Sequence, residues 1–240
     1  MTDGAGFVVD AERAQLSGPA HLVRALLDGA APGAGRAAEA LDDLDLPPLL
    51  EAGLDAARDP LAQVRVSGLP EPLEAFAGAH AAALLLPVGG APAPGNGGGV
   101  LALRACTPSG LLGLLVRAVG LCPRPRHAED GELVLPVARM GLVLGERAAA
   151  HAGLDSAPEV ALQDHLDALV AHWRIEMRGP GAGDGPVGWY LEVLDGRRGL
   201  WTVEERAAGE VALVPSDATA VLDELAALPG HVGLGPAGDD

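Results

Sequence analysis

"VLALRACTPSGLLGLLVRAVG", Val100 to Gly120, reads as a short apolar strand, a Thr-Pro-Ser corner, a leucine-striped helix and a closing glycine. "EVALVPSDATAVLDELAALPG", Glu210 to Gly230, has the same layout 110 positions later. Leu103 lines up with Leu213, Leu112 with Leu222, Leu115 with Leu225 and Gly120 with Gly230. From Leu101 to Gly120 five of the twenty positions are identical in the later copy, against about two expected by chance in a chain so rich in Ala, Leu and Gly. Order carries more weight than identity. "AQVRVSG" (62–68) and "WRIEMRG" (173–179) are both strands that end on a glycine, 111 positions apart. "LDA" at 54–56 recurs at 166–168, ahead of each strand. The expectation is an internally duplicated, pseudo-two-fold α+β domain, a central antiparallel sheet flanked by helices. Half one covers about 1–121 and half two about 133–230, in one domain over 1–240. Neither half alone covers its apolar sheet face, so the two join into one core.

Outward from these stretches, Leu22, Val23, Leu26 and Leu27 have helical spacing. "GAAPGAGR" (29–36) breaks that helix. A second helix is expected over Pro47–Arg58 and a buried strand over Ala79–Val88, followed by a long Gly/Pro loop, Gly89–Gly99. The connector Cys122–Glu132 marks the midpoint. Leu133–Leu144 is partly strand-like, and helices are expected over 146–152 and 158–172. In "WRIEMRG", Trp173, Ile175 and Met177 share one face while Arg174, Glu176 and Arg178 share the other, the pattern of a sheet with one dry face and one wet face. Trp189–Glu205 reads as a hairpin turning at Asp195-Gly196. Thr107 is expected to cap the helix opened by Pro108, and Ser216 or Asp217 the later one. Residues 231–240 read as a disordered tail.

Composition narrows the function. Of 240 residues, 49% are hydrophobic, enough for a sizeable core. No apolar run approaches the roughly 18 residues of a membrane span, and "MTDGAGFVVDAER" has neither a basic n-region nor a cleavage site. A cytoplasmic protein is expected. The net charge of −17 repels phosphate backbones and anionic membrane surfaces, so no nucleic-acid or membrane partner is expected. All 16 basic residues are Arg, and Asn96 and Ile175 are the single Asn and Ile. That bias matches GC-rich coding, as in actinobacteria. With no Lys, a P-loop and a Schiff-base or pyridoxal enzyme are excluded.

Catalytic constellations are not in view. The five serines include none in G-x-S-x-G, and Cys106 and Cys122 form no C-x-x-C. "DHLDALVAH" offers Asp164, His165, Asp167 and His172 without a metal-site pattern. The Gly-rich runs at 90–99 and 179–188 lack the strand-loop-helix context of a dinucleotide site. No metal, no cofactor and no catalysis are expected. The one non-random cluster is aromatic: of six aromatics, Trp173, Trp189, Tyr190 and Trp201 lie within 173–201. Trp189 and Tyr190 are adjacent on a strand, so they face opposite sides.

The run from His172 to Gly230 resembles the EspG family, cytosolic chaperones of type VII (ESX) secretion. The resemblance rests on "PVGW" (186–189), "DGR" (195–197), "WTV" (201–203) and "VPSDATAVLDEL" (214–225), best over about 165–230, with 46–121 as the matching half. It implies a pseudo-two-fold α+β fold and binding without catalysis: recognition of a helical PE/PPE-like heterodimer that is kept soluble. It places partner contacts on the loop, at Gly89, Pro92, Pro94 and Asn96, and the aromatic cluster adds Trp189, Tyr190 and Trp201. The chain itself would be a monomer or homodimer. The competing expectation is a non-catalytic scaffold or regulatory subunit on the same fold with another protein partner.

Overall fold

In the computed structural model the two glycine-ended strands, Ala62–Ser67 and Trp173–Gly179, lie side by side in the middle of one sheet. The structure describes residues 6–69, 72–88, 99–124, 131–137, 140, 169–179, 188–197 and 199–228. In chain order the strands are β1 (Val8–Asp10), β2 (Gln15–Pro19), β3 (Ala62–Ser67), β4 (Leu73–Ala77), β5 (Ala82–Val88), β6 (Val100–Cys106), β7 (Leu133–Pro136), β8 (Leu169–Arg178), β9 (Trp189–Gly196), β10 (Gly199–Glu205) and β11 (Glu210–Ser216). The helices are α1 (Ala20–Leu27), α2 (Ala34–Asp42), α3 (Pro48–Arg58), α4 (Pro108–Val119) and α5 (Ala218–Ala226).

All eleven strands form one sheet in the order β1-β2-β6-β5-β4-β3-β8-β9-β10-β11-β7, and every pairing is antiparallel. From the central β3–β8 seam outward the two sides have matching plans. Each runs through a four-strand meander with a further strand laid against the last one, β2 on β6 and β7 on β11, and the first side adds β1 outside β2. At the seam Val66 opposes Ile175, Arg65 opposes Glu176 and Val64 opposes Met177. Arg65 and Glu176 are 111 positions apart, the spacing of Gly68 and Gly179. They mark the centre of the arrangement.

Period-two alternation sends each strand's apolar set to opposite layers. On one face α4 and α5 lie across both sides of the seam. Leu111, Leu115, Val119, Val221 and Leu225 pack on Val64, Val66, Trp173, Ile175, Val193 and Leu200. On the other face, α1–α3 cover the first side through Val23, Leu26, Leu50, Leu54 and Ala57, packed on Phe76, Leu85 and Leu103. A third cluster holds the second side's flank, with Leu135, Leu194, Trp201, Val203, Val211 and Leu213.

Several elements differ from the sequence expectation. The helix expected over 158–172 does not reach His172, because β8 already begins at Leu169. The pairing of this strand with β9 extends back to it across a bulge between Leu169 and Ala171. The hairpin does not turn at Asp195-Gly196. Gly196 pairs with Gly199, so the connection follows Gly196, and Asp195 is a buried strand residue. Thr107 stands at the start of α4 but makes no capping bond; its Oγ1 lies 3.2 Å from Ser109 Oγ. Asp217 does cap α5, accepting from the Thr219 and Ala220 amides at 3.0 and 2.9 Å. The break at 29–36 hides the start of α2, which Gly33 opens with φ +93°. β4, "LEAFA", shows no period-two alternation in sequence, because four of its five residues are apolar and buried. The helix expected over 146–152, the 89–98 part of the loop and the tail lie outside the described residues.

Candidate functional site

One row of residues crosses the whole sheet on the face away from α4 and α5, directly opposed at every step except Tyr190 to Glu205, which lies beyond the last β9–β10 pair, Val193 and Thr202. It runs Val9, Leu16, Leu103, Leu85, Glu74, Arg65, Glu176, Tyr190, then Glu205, Val211 and Leu135. The Glu205 carboxylate lies next to the Tyr190 phenol and helps to hold it protonated. The row is apolar at both ends and polar over its five middle strands. The apolar ends belong to the two flanking clusters. The polar middle is a lane between them, centred on the β3–β8 seam.

Ion pairs tie the lane together. Arg65 and Arg24 share Glu74, at 3.8 and 3.7 Å. Arg174 meets Glu192 at 3.1 Å and Glu176 at 2.9 Å, and Arg178 meets Glu176 at 3.7 Å. The Arg174 Nε lies close to Glu176 but off the N–H axis, so this is an ion pair and not a hydrogen bond. The Arg174 guanidinium also sits over the Tyr190 ring, 4.2 Å from its centre, a cation–π contact. His172 Nε2 lies 2.8 Å from Glu192 Oε1. Burial alone would raise the Glu192 carboxyl, but His172 and the Arg174 guanidinium outweigh it and hold it below the usual carboxylate range. Burial, with the Glu205 carboxylate next to it, pushes the Tyr190 phenol up to about 12. At neutral pH the lane therefore holds fixed ion pairs and a neutral phenol. Most of these side chains are half-buried, and ion pairs of this kind add only modest stability once desolvation is counted. Their fixed geometry suits recognition better than folding.

A different charge pair is structural. Asp195 is 2% exposed, and Arg124 grips it with two bonds of 2.7 and 3.0 Å. This pair pins the connector after α4 onto the second side of the sheet and raises the Arg124 guanidinium further.

Of the residues singled out in the sequence, Tyr190 lies in the lane. Trp189 points to the other face and packs, half-buried, on the main core. Trp201 is 3% exposed and fills the second flank. Gly89, Pro92, Pro94 and Asn96 lie outside the described residues, as do Asp164, His165 and Asp167. Arg65, Glu74, Glu192 and Glu205 went unnoticed in the sequence. Their signal was the alternation of each strand, but which strands meet at the centre is a property of topology. Among the described residues no catalytic constellation is assembled. Among the described residues no three His, Cys, Asp or Glu side chains converge as a metal site. Burial raises the Cys106 thiol despite Arg104 nearby, which makes it a poor nucleophile. An open cleft of about 360 Å³ beside Asp55, Asp59 and His80 has no hydroxyl or thiol in its lining. No helix among the described residues is long and apolar enough to cross a membrane.

A similar fold is found among solved structures. The particular likeness is to EspG5 of Mycobacterium tuberculosis, the type VII secretion system chaperone solved in complex with the PE25–PPE41 dimer. The two superpose with a TM-score of 0.51 at 12% identity, over 88% of this chain and 94% of that one. No protein family and no curated protein matches the chain at the level of sequence.

Proposed function

We propose that this chain is a chaperone-like binding protein that takes a helical secretion substrate of PE/PPE type and keeps it soluble in the cytoplasm, without catalysis. The observation that carries the reading is the fold shared with EspG5, a chaperone caught holding a protein dimer, across most of both chains. The lane supports it. The strip's four arginines, Arg24, Arg65, Arg174 and Arg178, are matched in number by Glu74, Glu176, Glu192 and Glu205, so a partner that covers it between the apolar flanks buries no net charge. Tyr190 and Arg174 are the proposed anchors, an aromatic and an arginine of the kind that dominate interfaces. The loop residues Gly89, Pro92, Pro94 and Asn96 are proposed as a second contact. We also propose that the matching halves arose by internal duplication within a single domain, because the 111-position spacing of Gly68 and Gly179 recurs in the Arg65–Glu176 pair.

The test is a pull-down of the tagged full-length chain from its native cytosol, with the bound proteins identified by mass spectrometry. A small helical secretion substrate in stoichiometric amount is expected. Recovery of the chain alone would refute the reading.

A further inference from the structure

The lane is electrically lopsided. At its β4–β3 end two guanidiniums, Arg24 and Arg65, share the one carboxylate of Glu74, which leaves a surplus positive charge. In the middle, Arg174 and Arg178 balance Glu176 and Glu192. At the β10 end Glu205 meets the neutral Tyr190 phenol. The neighbouring Arg206 is engaged by Glu132 and Glu204, at 2.9 and 2.8 Å. The lane therefore runs from positive at Arg65 to negative at Glu205.

The four meander strands on each side of the seam share one plan, so the strands alone offer an occupant two nearly equivalent directions. The side chains remove that equivalence. At the 111-position spacing Arg174 corresponds to Gln63 and Arg178 to Ser67, so the polar face of β8 is charged where that of β3 is not. The chain's overall charge of −17 cannot choose a direction, because it acts on the whole of an occupant alike. Only a local gradient can. From β4 to β10 the lane spans four strand spacings, about 19 Å, the length of about 13 helical residues. A helix carries its own gradient, positive at the N-terminus and negative at the C-terminus.

We infer that the lane receives one helix of a partner protein laid across the strands in a single direction, its N-terminal, basic end over Glu205 and its C-terminal, acidic end over Arg65 and Arg24. The inference rests on the binding function proposed above and adds to it the polarity of the bound helix. Glu205 and Arg65 act as the direction-setting residues, and the Arg174–Tyr190 stack is the floor between them.

The probes are two stapled helical peptides of about 18 residues with identical composition. One has arginines in its first turns and glutamates in its last; the other has the reverse order. Their equal net charge cancels the general field, and the staple removes any difference in helicity. Binding to the full-length chain is read at low ionic strength by NMR, with a nitroxide on either end. The arginine-first peptide is expected to bind roughly fivefold to tenfold more tightly. Its N-terminal nitroxide should broaden β9 and β10 signals and its C-terminal nitroxide β3 and β4 signals. Arg65→Glu with Glu205→Arg should invert the preference, and Glu205→Arg alone, at an exposed strand end, should abolish it. Equal affinities, the opposite orientation, or no binding by either peptide overturns the inference. A partner recovered from cytosol together with no peptide preference would leave the binding function standing and remove the directed lane.

Discussion

The two sides of the sheet share a strand plan and divide their chemistry. Their buried residues are interchangeable in kind: Val64 and Val66 on β3 face the same layer as Ile175 and Met177 on β8. Their polar faces are not. β3 offers Gln63, Arg65 and Ser67, whereas β8 offers His172, Arg174, Glu176 and Arg178. Packing tolerates any apolar side chain of suitable volume, so the buried pattern keeps the plan. The exposed face carries no packing demand and is free to acquire a direction. The difference teaches where to look for function in such a fold: at the positions where the two sides stop matching.

The sharpest way to break the comparison uses glycines. Gly68 and Gly179 hold matching positions, but only Gly68 has positive φ, at +83°, and a Cβ there would run into the carbonyl of His172 across the seam. Gly179 has open space around it. Gly68→Ala should cost about 3 kcal/mol or more in urea unfolding, and Gly179→Ala should change stability by less than about 0.5 kcal/mol. Equal losses would mean that the seam is as tightly built at both ends.

Next in size is the pair with no counterpart on the first side. Arg124→Ala leaves the Asp195 carboxylate buried without its partner. It should cost about 2–4 kcal/mol, somewhat below a fully buried pair because the arginine side chain keeps 22% of its surface exposed. Adding Asp195→Asn should recover part of the loss, measured by the same unfolding curves.

The helix caps sharpen the contrast further. Asp217→Ala removes two side-chain bonds and should cost about 1 kcal/mol. Thr107→Ala, at the matching position, removes no bond to a helix amide, only the exposed contact with Ser109 Oγ, and should cost only a few tenths. Comparing the two thermal midpoints checks this.

The smallest expected effects are in the lane. The Glu192 carboxyl is lowered in the folded chain. Its contribution is therefore complete above its unfolded value, about 4.3, and is lost as pH falls through the lower folded one. Glu192→Gln should flatten the stability profile below about pH 4.5 and leave it unchanged near pH 7 in slope. Tyr190 is the single tyrosine, so its phenolate absorbance is unambiguous. It should titrate near 12 and not near its ordinary 10, and Glu205→Gln should bring it down. Because the raised phenol favours the folded state in its neutral form, that stability is present below about pH 10 and fades as pH rises through the folded value.

Much of this plan was legible in the sequence, and particular residues show why. The alternation of Trp173, Ile175 and Met177 reveals a strand without any partner, and Pro108 and Asp217 announce helix starts by local chemistry. The shared layout of 100–120 and 210–230 located both outer meander strands and their helices. The lane was not legible. Arg65 and Glu176 look like ordinary wet-face residues until β3 and β8 are known to meet, and that pairing links positions 111 apart. Nor does a sequence announce that Trp201 is buried while Tyr190 is not, because adjacent strands decide which face each cluster covers.

The central claim is that a protein partner binds at the polar middle of the sheet. The most direct measurement is the cytosolic pull-down run in parallel with the wild-type chain, Arg65→Glu in the lane, and Arg117→Glu on the exposed surface of α4. The account predicts one helical partner held by the wild type and by Arg117→Glu and lost from Arg65→Glu. Retention of that partner by all three chains, or its loss from Arg117→Glu alone, would contradict it.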